Sequence, residues 1–442
     1  MKSINQFLLV SVVFIITLIG FISHSYAQQP YTPYWYPEQL LKWNPEENID
    51  APFNRGTIPL KDRFEGYKVN EHAMNAPQVV ALSAMNPTTS GVPSQGSGDS
   101  EVYAFNYWQY TDLLVYWGGS AGEGIIVPPS ADVIDAAHKN GVPVLGTIFF
   151  PPEYYGGKFE WVKETLQQRS DGSFPVADKL IEVAEYYGFD GWFINQETAG
   201  GDEETANRMQ KFLKYLQKNK PEGMHVMWYD AMTESGKVNW QNALTNANDM
   251  FFQDKTEKVS DSMFLNFWWE DMQVSSEKAL SLGRSPYDLF AGINVGADGY
   301  HTDVAWDGLF PDGENPNVSL GMYRPDWTFT SSDNQKQFYT KANHFWVGPN
   351  GDPTNTETVS DWKGIANYIV AKSSINELPF TTNFNTGNGE MFAVKGEILK
   401  EAEWNNRSLQ DILPTWRWIA DSDGKALEPS LDWKTAYYGG VH

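Results

Sequence analysis

The sequence predicts an α/β protein built on a (β/α)8 TIM barrel, with a short and incomplete β-rich segment at its C-terminus. Two observations support this prediction: apolar runs of strand length alternate with helical patterns, and many of these runs end in polar or aromatic residues. Such alternation implies parallel strands joined by right-handed crossovers, and eight strands close a TIM barrel. The eight strand candidates are residues 113–117, 142–149, 191–195, 225–229, 263–267, 289–295, 319–323 and 379–383.

Helical patterns fall between several of these runs, and two alternatives remain open. Residues 78–84 form either a further strand or a packed segment, so the strand count is uncertain by one. A doubly wound open sheet is the second choice of fold, although no G-x-G-x-x-G follows a first strand and no P-loop is present. The helix candidates are residues 131–140, 176–187, 203–218 and 361–373.

The N-terminus is typical of a secretory signal peptide, predicted over residues 1–27. Lys2 supplies the positive charge, residues 7–22 are apolar, and Ala27 precedes a cleavage site at Gln28. The alternative is an uncleaved membrane anchor, but the apolar run is short for a full span. We therefore expect cleavage, no stable membrane span afterwards, and a secreted or cell-envelope protein, either extracellular or periplasmic. The other predicted segments are an N-terminal wrap and loop at 28–100, the catalytic barrel at 101–400, and a junction with the start of a β-rich segment at 401–442.

Composition narrows the classes of partner. The formal net charge of -24 disfavours nucleic acid, because an acidic surface repels phosphate backbones. The 18 Trp, 22 Tyr and 25 Phe residues suggest flat platforms on which sugar rings stack, although a large barrel core also absorbs aromatics. The chain has no cysteine, which excludes disulfides, thiol nucleophiles and Cys-ligated metals. The oligomeric state stays open.

The stretch G-F-D-G-W-F-I-N-Q-E-T at residues 188–198 provides the first candidate site. Its apolar run predicts a buried parallel strand. Side chains alternate along a strand, so Asn195 and Glu197 share one face at its C-terminal end, where TIM barrels hold their catalytic residues. A strand that simply continues into a polar loop would give the same pattern.

Several other strand candidates also end in aromatic or amide side chains. On a barrel these ends converge at one mouth, and aromatics interleaved with Asn and carboxylates favour a carbohydrate cleft there. The predicted substrate-binding residues are Trp117, Trp228, Asn266, Phe267, Trp268, Trp269, Asn294 and Asn383.

Glu197 is the candidate proton donor of a glycoside hydrolase. In a partly apolar mouth near Trp228 and Trp268 its pKa would rise, so that it keeps its proton near neutrality. Asn195 is a carboxamide and serves neither as nucleophile nor as ordinary base, but it can orient an amide. This suits a mechanism in which the substrate's own 2-acetamido oxygen attacks the anomeric carbon. The alternative is that Asn195 only caps the strand end.

Metal and serine chemistry have no support in the sequence. The seven His residues show neither H-x-x-x-H nor H-E-x-x-H spacing, and no G-x-S-x-G elbow accompanies a Ser-His-Asp triad. We expect no metal and no cofactor.

The chain resembles glycoside hydrolase family 85, the endo-β-N-acetylglucosaminidases that cut the chitobiose core of N-linked glycans. The resemblance runs from about Trp35 to Trp418. It is carried by W-Y-P-E-Q-L-L-K-W-N-P, N-R-G-T-I-P-L-K-D-R, H-K-N-G-V-P-V-L-G-T, G-F-D-G-W-F-I-N-Q-E-T, W-Y-D-A-M-T-E-S-G-K-V-N-W-Q-N, F-L-N-F-W-W, L-P-F-T-T-N-F-N-T-G-N-G and L-Q-D-I-L-P-T-W-R-W.

The resemblance implies roles for individual residues. Glu197 matches the family's general acid/base, Asn195 the residue that orients the 2-acetamido group, and Tyr229 an aromatic hydroxyl near the reacting sugar. Phe267, Trp268 and Trp269 match an aromatic subsite wall. The implied reaction retains anomeric configuration through an oxazolinium intermediate, with transglycosylation as a side activity and N-linked glycans of glycoproteins as the partner.

Two other functions remain as alternatives. A chitin-type hydrolase would carry D-x-x-D-x-D-x-E at this strand, whereas here Asp190 is followed only by Asn195 and Glu197. A non-catalytic glycan-binding protein would not require a proton donor beside an orienting amide.

Overall fold

Eight parallel strands form the closed barrel. The computed structural model describes residues 30–66, 68–354, 361–377 and 379–412, and the main chain of 420–422 and 425–427. Each strand pairs with the next in chain order, and the last strand pairs with the first, which confirms the predicted (β/α)8 class. The strands are β1 (Val79–Ser83), β2 (Leu113–Tyr116), β3 (Val144–Phe150), β4 (Gly191–Gln196), β5 (His225–Tyr229), β6 (Ser262–Leu265), β7 (Leu289–Asn294) and β8 (Ser319–Tyr323).

Side-chain alternation divides each strand between two cores. One set of side chains fills the barrel interior, and the other packs outward against the helices. In β5, for example, Met227 and Tyr229 belong to the interior cluster, whereas Trp228 belongs to the outer one. The other buried members of the interior cluster are Val80, Leu82, Leu113, Val115, Leu145, Phe193, Ala231, Phe264 and Phe290.

A glycine at the start of β4 sets its distance from β5. Gly191 has a φ of 135°, and a Cβ there would lie 1.9 Å from the main-chain oxygen of His225. Only glycine permits this approach, so the identity of residue 191 fixes the strand that carries Asn195 next to β5.

Within the described residues, six longer helices surround the barrel. Three of them lie where the apolar spacing predicted them, with ends shifted by a residue or so. Individual residues set the helix ends. Asp202 accepts the main-chain N–H of Thr205 at 2.9 Å and caps the helix Glu203–Asn219, and Gly188, with a φ of 77°, ends the helix Pro175–Tyr187. The helices are α1 (Ala131–Lys139), α2 (Phe159–Thr165), α3 (Pro175–Tyr187), α4 (Glu203–Asn219), α5 (Gln273–Ser281) and α6 (Gln335–Val347), with shorter ones at Pro37–Leu40, Trp306–Leu309 and Trp327–Thr330.

Short antiparallel pairs complete the described structure. Ile126–Val127 pairs with β3, and the remaining pairs lie outside the barrel sheet. Beyond residue 400 the described chain contains a two-residue strand and, further on, a small hairpin. The pairs outside the barrel are Phe64–Glu65 with Lys372–Ser373, Gln253–Asp254 with Glu257–Lys258, Asn388–Gly389 with Trp404–Asn405, Phe392–Val394 with Glu397–Lys400, and Ala420–Ser422 with Lys425–Leu427.

Two element predictions are wrong. Residues 379–383 form no strand, and the eighth barrel strand is instead Val79–Ser83, all five residues of which are buried. Residues 361–373 contain no α-helix, only the 3-10 turn Ile365–Asn367 and the strand Lys372–Ser373. The predicted signal peptide at 1–27 lies outside the described residues.

Candidate active site

Asn195 and Glu197 lie at the C-terminal end of β4 and project into the mouth of the barrel. Asn195 is buried, with 4% of its surface exposed, and Glu197 is partly exposed. They line a cavity of about 180 Å³ whose walls are mostly aromatic. That volume is below the ~300 Å³ of pockets for drug-sized ligands and suits a single sugar ring. The lining residues are Leu82, Trp117, Phe149, Pro152, Tyr155, Phe193, Asn195, Glu197, Tyr229, Phe264, Phe267 and Tyr323.

The carboxamide oxygen of Asn195 is a buried acceptor that is not satisfied. The Asn195 side chain hydrogen bonds to Glu197, yet its Oδ1 has no partner among the described residues. A buried acceptor without a donor costs about 1–3 kcal/mol, so native proteins rarely keep one without a function. This oxygen is therefore suited to accept an N–H from a ligand in the cavity.

The environment of Glu197 favours the protonated acid. Burial raises the pKa of Glu197 to about 7, although hydrogen bonds from Trp240 and Asn195 oppose the shift. The indole Nε1–H of Trp240 donates to Glu197 Oε1 at 3.1 Å. A carboxyl group that titrates near neutrality can both give and take a proton at physiological pH.

Tyr229 stands beside this acid with its hydroxyl group held in place. Its O–H donates to Asn266 Oδ1 at 2.6 Å, and Asn266 Nδ2–H donates to Asn242 Oδ1 at 2.9 Å. Burial, reinforced by the negative charge of Glu197, raises the pKa of Tyr229 well above its ordinary value. The hydroxyl therefore stays protonated and remains a hydrogen-bond donor.

Four of the predicted substrate-binding residues lie at or beside the cavity. Trp117 and Phe267 line the cavity. Asn266 lies behind the wall and accepts a hydrogen bond from the lining residue Tyr229. Trp268 is 77% exposed and packs edge-on against Phe267 at the rim.

The other four do not line the cavity. Trp228 faces the helices, where its ring stacks on Phe251 at 4.8 Å, because Tyr229 next to it occupies the interior face. Trp269 is half-buried against the outer core and donates its indole N–H to the Gly292 carbonyl at 2.7 Å. The prediction that Trp228 contacts substrate is therefore wrong, since its ring is fully buried on the outer face. The predicted contact of Trp269 with substrate stays a prediction.

Asn294 and Asn383 are both exposed and lie outside the cavity. Asn294 ends β7, and its Oδ1 accepts the N–H of Gly296 at 3.1 Å. The main-chain N–H of Asn383 donates to Asp411, whose carboxylate lies near Lys139 at the C-terminal end of α1. Helix α1 leads into the N-terminal end of β3, so Asn383 lies towards the opposite end of the barrel from Glu197.

The model of the glycosyl hydrolase family 85 matches residues 87–392, a range that includes Asn195, Glu197 and Tyr229. The chain belongs to glycoside hydrolase family 85. A solved structure agrees with the assignment: the glycoside hydrolase domain of Endo-D from Streptococcus pneumoniae R6 is 36% identical, with a TM-score of 0.82 over 93% of this chain and 66% of that one.

Curated relatives of this chain come from plants and animals. The cytosolic endo-beta-N-acetylglucosaminidase 1 of Arabidopsis thaliana is 28% identical over 93% of this chain and 57% of its own length. The human cytosolic endo-beta-N-acetylglucosaminidase is 29% identical over 85% of this chain and 46% of its own length. The chain thus spans about half the length of the curated relatives it matches.

The names of these relatives overturn the predicted location. They are cytosolic enzymes, so the prediction of a secreted or cell-envelope protein is wrong.

Within the described part of the chain, every helix is too short or too polar to cross a membrane. The same residues contain no group of three or more His, Asp or Glu side chains arranged to hold a metal ion.

Sequence reasoning missed several residues that shape this family 85 site. Trp240 lies within the N-W-Q-N motif, which by itself indicates no role for it, and only the folded chain brings it to Glu197, 43 positions away. Tyr323 ends β8 as an aromatic at a strand end and could have been found by the criterion that selected Trp117. Phe149 and Tyr155 flank the P-P-E stretch after β3 and complete the aromatic wall.

Proposed function

We propose that the protein is an endo-β-N-acetylglucosaminidase that hydrolyses the β-1,4 bond between the two core GlcNAc residues of N-linked glycans. One observation carries the proposal: the unsatisfied Oδ1 of Asn195 lies beside a glutamic acid of raised pKa in a cavity that suits one sugar ring. The names of the curated relatives support the same activity.

In the first step Glu197 acts as the general acid. Its proton passes to the glycosidic oxygen as the bond from that oxygen to the anomeric carbon breaks. The substrate's 2-acetamido oxygen attacks the same carbon and forms an oxazolinium ring, which replaces the enzyme nucleophile of other retaining glycosidases. Asn195 Oδ1 accepts the acetamido N–H, which holds the amide in line for attack and stabilises its developing positive charge.

In the second step the carboxylate of Glu197 acts as the base. It removes a proton from a water molecule as the water oxygen attacks the anomeric carbon and opens the oxazolinium ring. Two inversions at one carbon retain its configuration. A sugar hydroxyl that replaces the water would give transglycosylation by the same proton transfer.

The aromatic walls and the charge of the protein fit this substrate. Trp117, Phe267 and Tyr323 offer apolar faces to a sugar ring. The Tyr229 hydroxyl donates its proton to Asn266, and its oxygen is available to accept a hydrogen bond from a sugar hydroxyl. A neutral glycan is also not repelled electrostatically by a chain of net charge -24.

The test is mass spectrometry of a glycoprotein that carries one high-mannose N-glycan, after incubation with the full chain. We expect a product that keeps one GlcNAc on its asparagine, and none with the Glu197→Gln variant. Trimmed-core and complex-type glycopeptides, run alongside, cover other glycan preferences. If no substrate is cleaved but the glycans bind, the protein is a glycan-binding protein and the proposal is wrong; cleavage of chitin oligosaccharides alone would indicate a chitin-type hydrolase.

A further inference from the structure

The loop after β5 is tied to a buried carboxyl group, Asp230, which follows Tyr229 in the chain and is completely inaccessible to solvent. Asp230 Oδ2 accepts the main-chain N–H groups of Asn242 at 2.7 Å and Gln241 at 3.1 Å. Its Oδ1 accepts the side-chain N–H of Asn248 at 2.8 Å. Three donors from one loop therefore converge on this carboxyl group.

The residues bound by Asp230 lead directly to the catalytic group. Gln241 follows Trp240, whose indole donates to Glu197. Asn242 adopts a left-handed φ of 57°, which is uncommon for a residue other than glycine. In this conformation its Oδ1 accepts N–H groups from the Asn266 side chain at 2.9 Å and from the Trp268 main chain at 3.1 Å.

We infer that Asp230 is a positioning residue of the active site: it holds residues 240–248 so that the Trp240 indole and, through Asn242 and Asn266, the Tyr229 hydroxyl stay at Glu197. The inference rests on the proposed function, since it concerns the same site. Asp230 does not itself line the cavity, so it acts through these neighbours.

A carboxylate suits this task better than an amide. It has only acceptor sites, whereas an asparagine in its place would turn an NH₂ group towards some of the same N–H donors. Burying a carboxyl group costs free energy. At Asp230 the buried group holds in place the residues of the cavity wall beside Glu197. Misplacement of a reacting group by about 1 Å can lower a rate by about 10²-fold.

The experiment compares two buried carboxyl groups with matching partners. Asp135 on α1 also accepts two main-chain N–H groups and one side-chain donor, from Thr57 and Ile58, but lies in the helical layer. Asp230→Asn and Asp135→Asn are made in the full chain, and folding is checked by thermal unfolding. Both are assayed for kcat/KM from pH 5 to 9 on the glycopeptide that the parent cleaves best, with Trp240→Phe as reference.

We expect kcat/KM to fall by about 10²-fold in Asp230→Asn and to stay within about twofold in Asp135→Asn. The alkaline limb of the Asp230→Asn profile should move in the same direction as that of Trp240→Phe, because both lose the indole bond to Glu197. A merely structural role would lower the unfolding temperature without moving this limb. Equal kcat/KM in the two Asn variants, or a limb that stays in place or moves against that of Trp240→Phe, overturns the inference.

A second variant keeps the inference testable if Asp230→Asn does not fold. Asn242→Gly tolerates the left-handed φ but removes the carboxamide, so it should lower kcat/KM by about 10-fold or more while remaining folded. Unchanged kcat/KM in this variant overturns the route through Asn242. If the parent chain cleaves none of the glycans, the proposed function is wrong and this inference falls with it. If the parent cleaves a glycan and the variants cleave it equally well, only this inference is wrong.

Discussion

Glu197→Gln should make the protein more stable at alkaline pH while it abolishes the proton donor. Burial raises the pKa of Glu197 from 4.5 to about 7. A group whose folded pKa lies above its unfolded pKa binds more protons in the folded state, so stability falls as pH rises between the two values. At about 1.4 kcal/mol per pKa unit, the ionised parent is destabilised by up to about 3 kcal/mol above pH 7. Glutamine carries no charge, and its oxygen can still accept the Trp240 N–H.

The measurement is urea unfolding of parent and variant at pH values from 4 to 8.5. The variant should be more stable by about 2–3 kcal/mol at pH 8, and the difference should shrink to nearly zero at pH 4, where the carboxyl group is protonated in both states. Glu222→Gln, at an exposed position before β5, serves as control and should differ from the parent by under about 0.5 kcal/mol throughout. A Glu197→Gln difference that does not change with pH would refute a raised pKa and, with it, the acid role at neutrality.

Three further predictions concern the reaction. The kcat/KM of the parent should fall about tenfold per pH unit above pH 7, because only protonated Glu197 can donate, and a plot of log kcat/KM against pH gives the slope. Asn195→Ala should slow hydrolysis of intact glycan by about 10²–10³-fold, but the variant should still use a preformed oxazoline donor. Equal loss of both reactions would make Asn195 structural. Trp240→Phe should move the alkaline limb to higher pH, whereas Trp228→Phe should leave the limb in place and cost about 1–3 kcal/mol in urea unfolding, since its ring lies in the outer core.

Local patterns were enough for most of the barrel but not for its closure. Seven of the eight strand predictions correspond to barrel strands, because each is a buried apolar run with a clear boundary. The error concerned which segment completes the ring. Val79–Ser83 closes it by pairing with both β2 and β8, and the partner β8 lies some 240 positions away in the chain. Such a pairing leaves no local signal in the sequence. The prediction therefore placed the eighth strand at the polar, largely exposed residues 379–383 instead of at Val79–Ser83.

The sequence predicted the site residues whose placement depends on local chain geometry. The predictions failed for residues whose placement depends on which face of a strand or loop meets the cavity. Asn195 and Glu197 share a face because they are two positions apart at a strand end, and this required only the period of a strand. The same period shows that the neighbours Trp228 and Tyr229 cannot both face the barrel interior, so only one of them can contact substrate there. Trp240 reaches Glu197 by a loop whose path depends on Asp230, which the sequence marks only as one more acidic residue.

Buried carboxyl groups at the two ends of the barrel have opposite effects on stability. At the N-terminal end of β6, burial opposes ionisation of Asp261, but the charge interaction with His225, the ion pair with Lys220 and the hydrogen-bond donors around it outweigh burial and lower its pKa to about 2. Its stabilisation is therefore present above pH 4 and lost as pH falls towards 2. At the C-terminal mouth, burial raises the pKa of Asp230 and that of Glu197 to about 7, so both cost stability as pH rises from 4 to 7. The N-terminal end of the barrel thus supplies stability at neutral pH, whereas the C-terminal mouth loses stability as Asp230 and Glu197 ionise, and of these two groups only Glu197 holds a proton for the reaction.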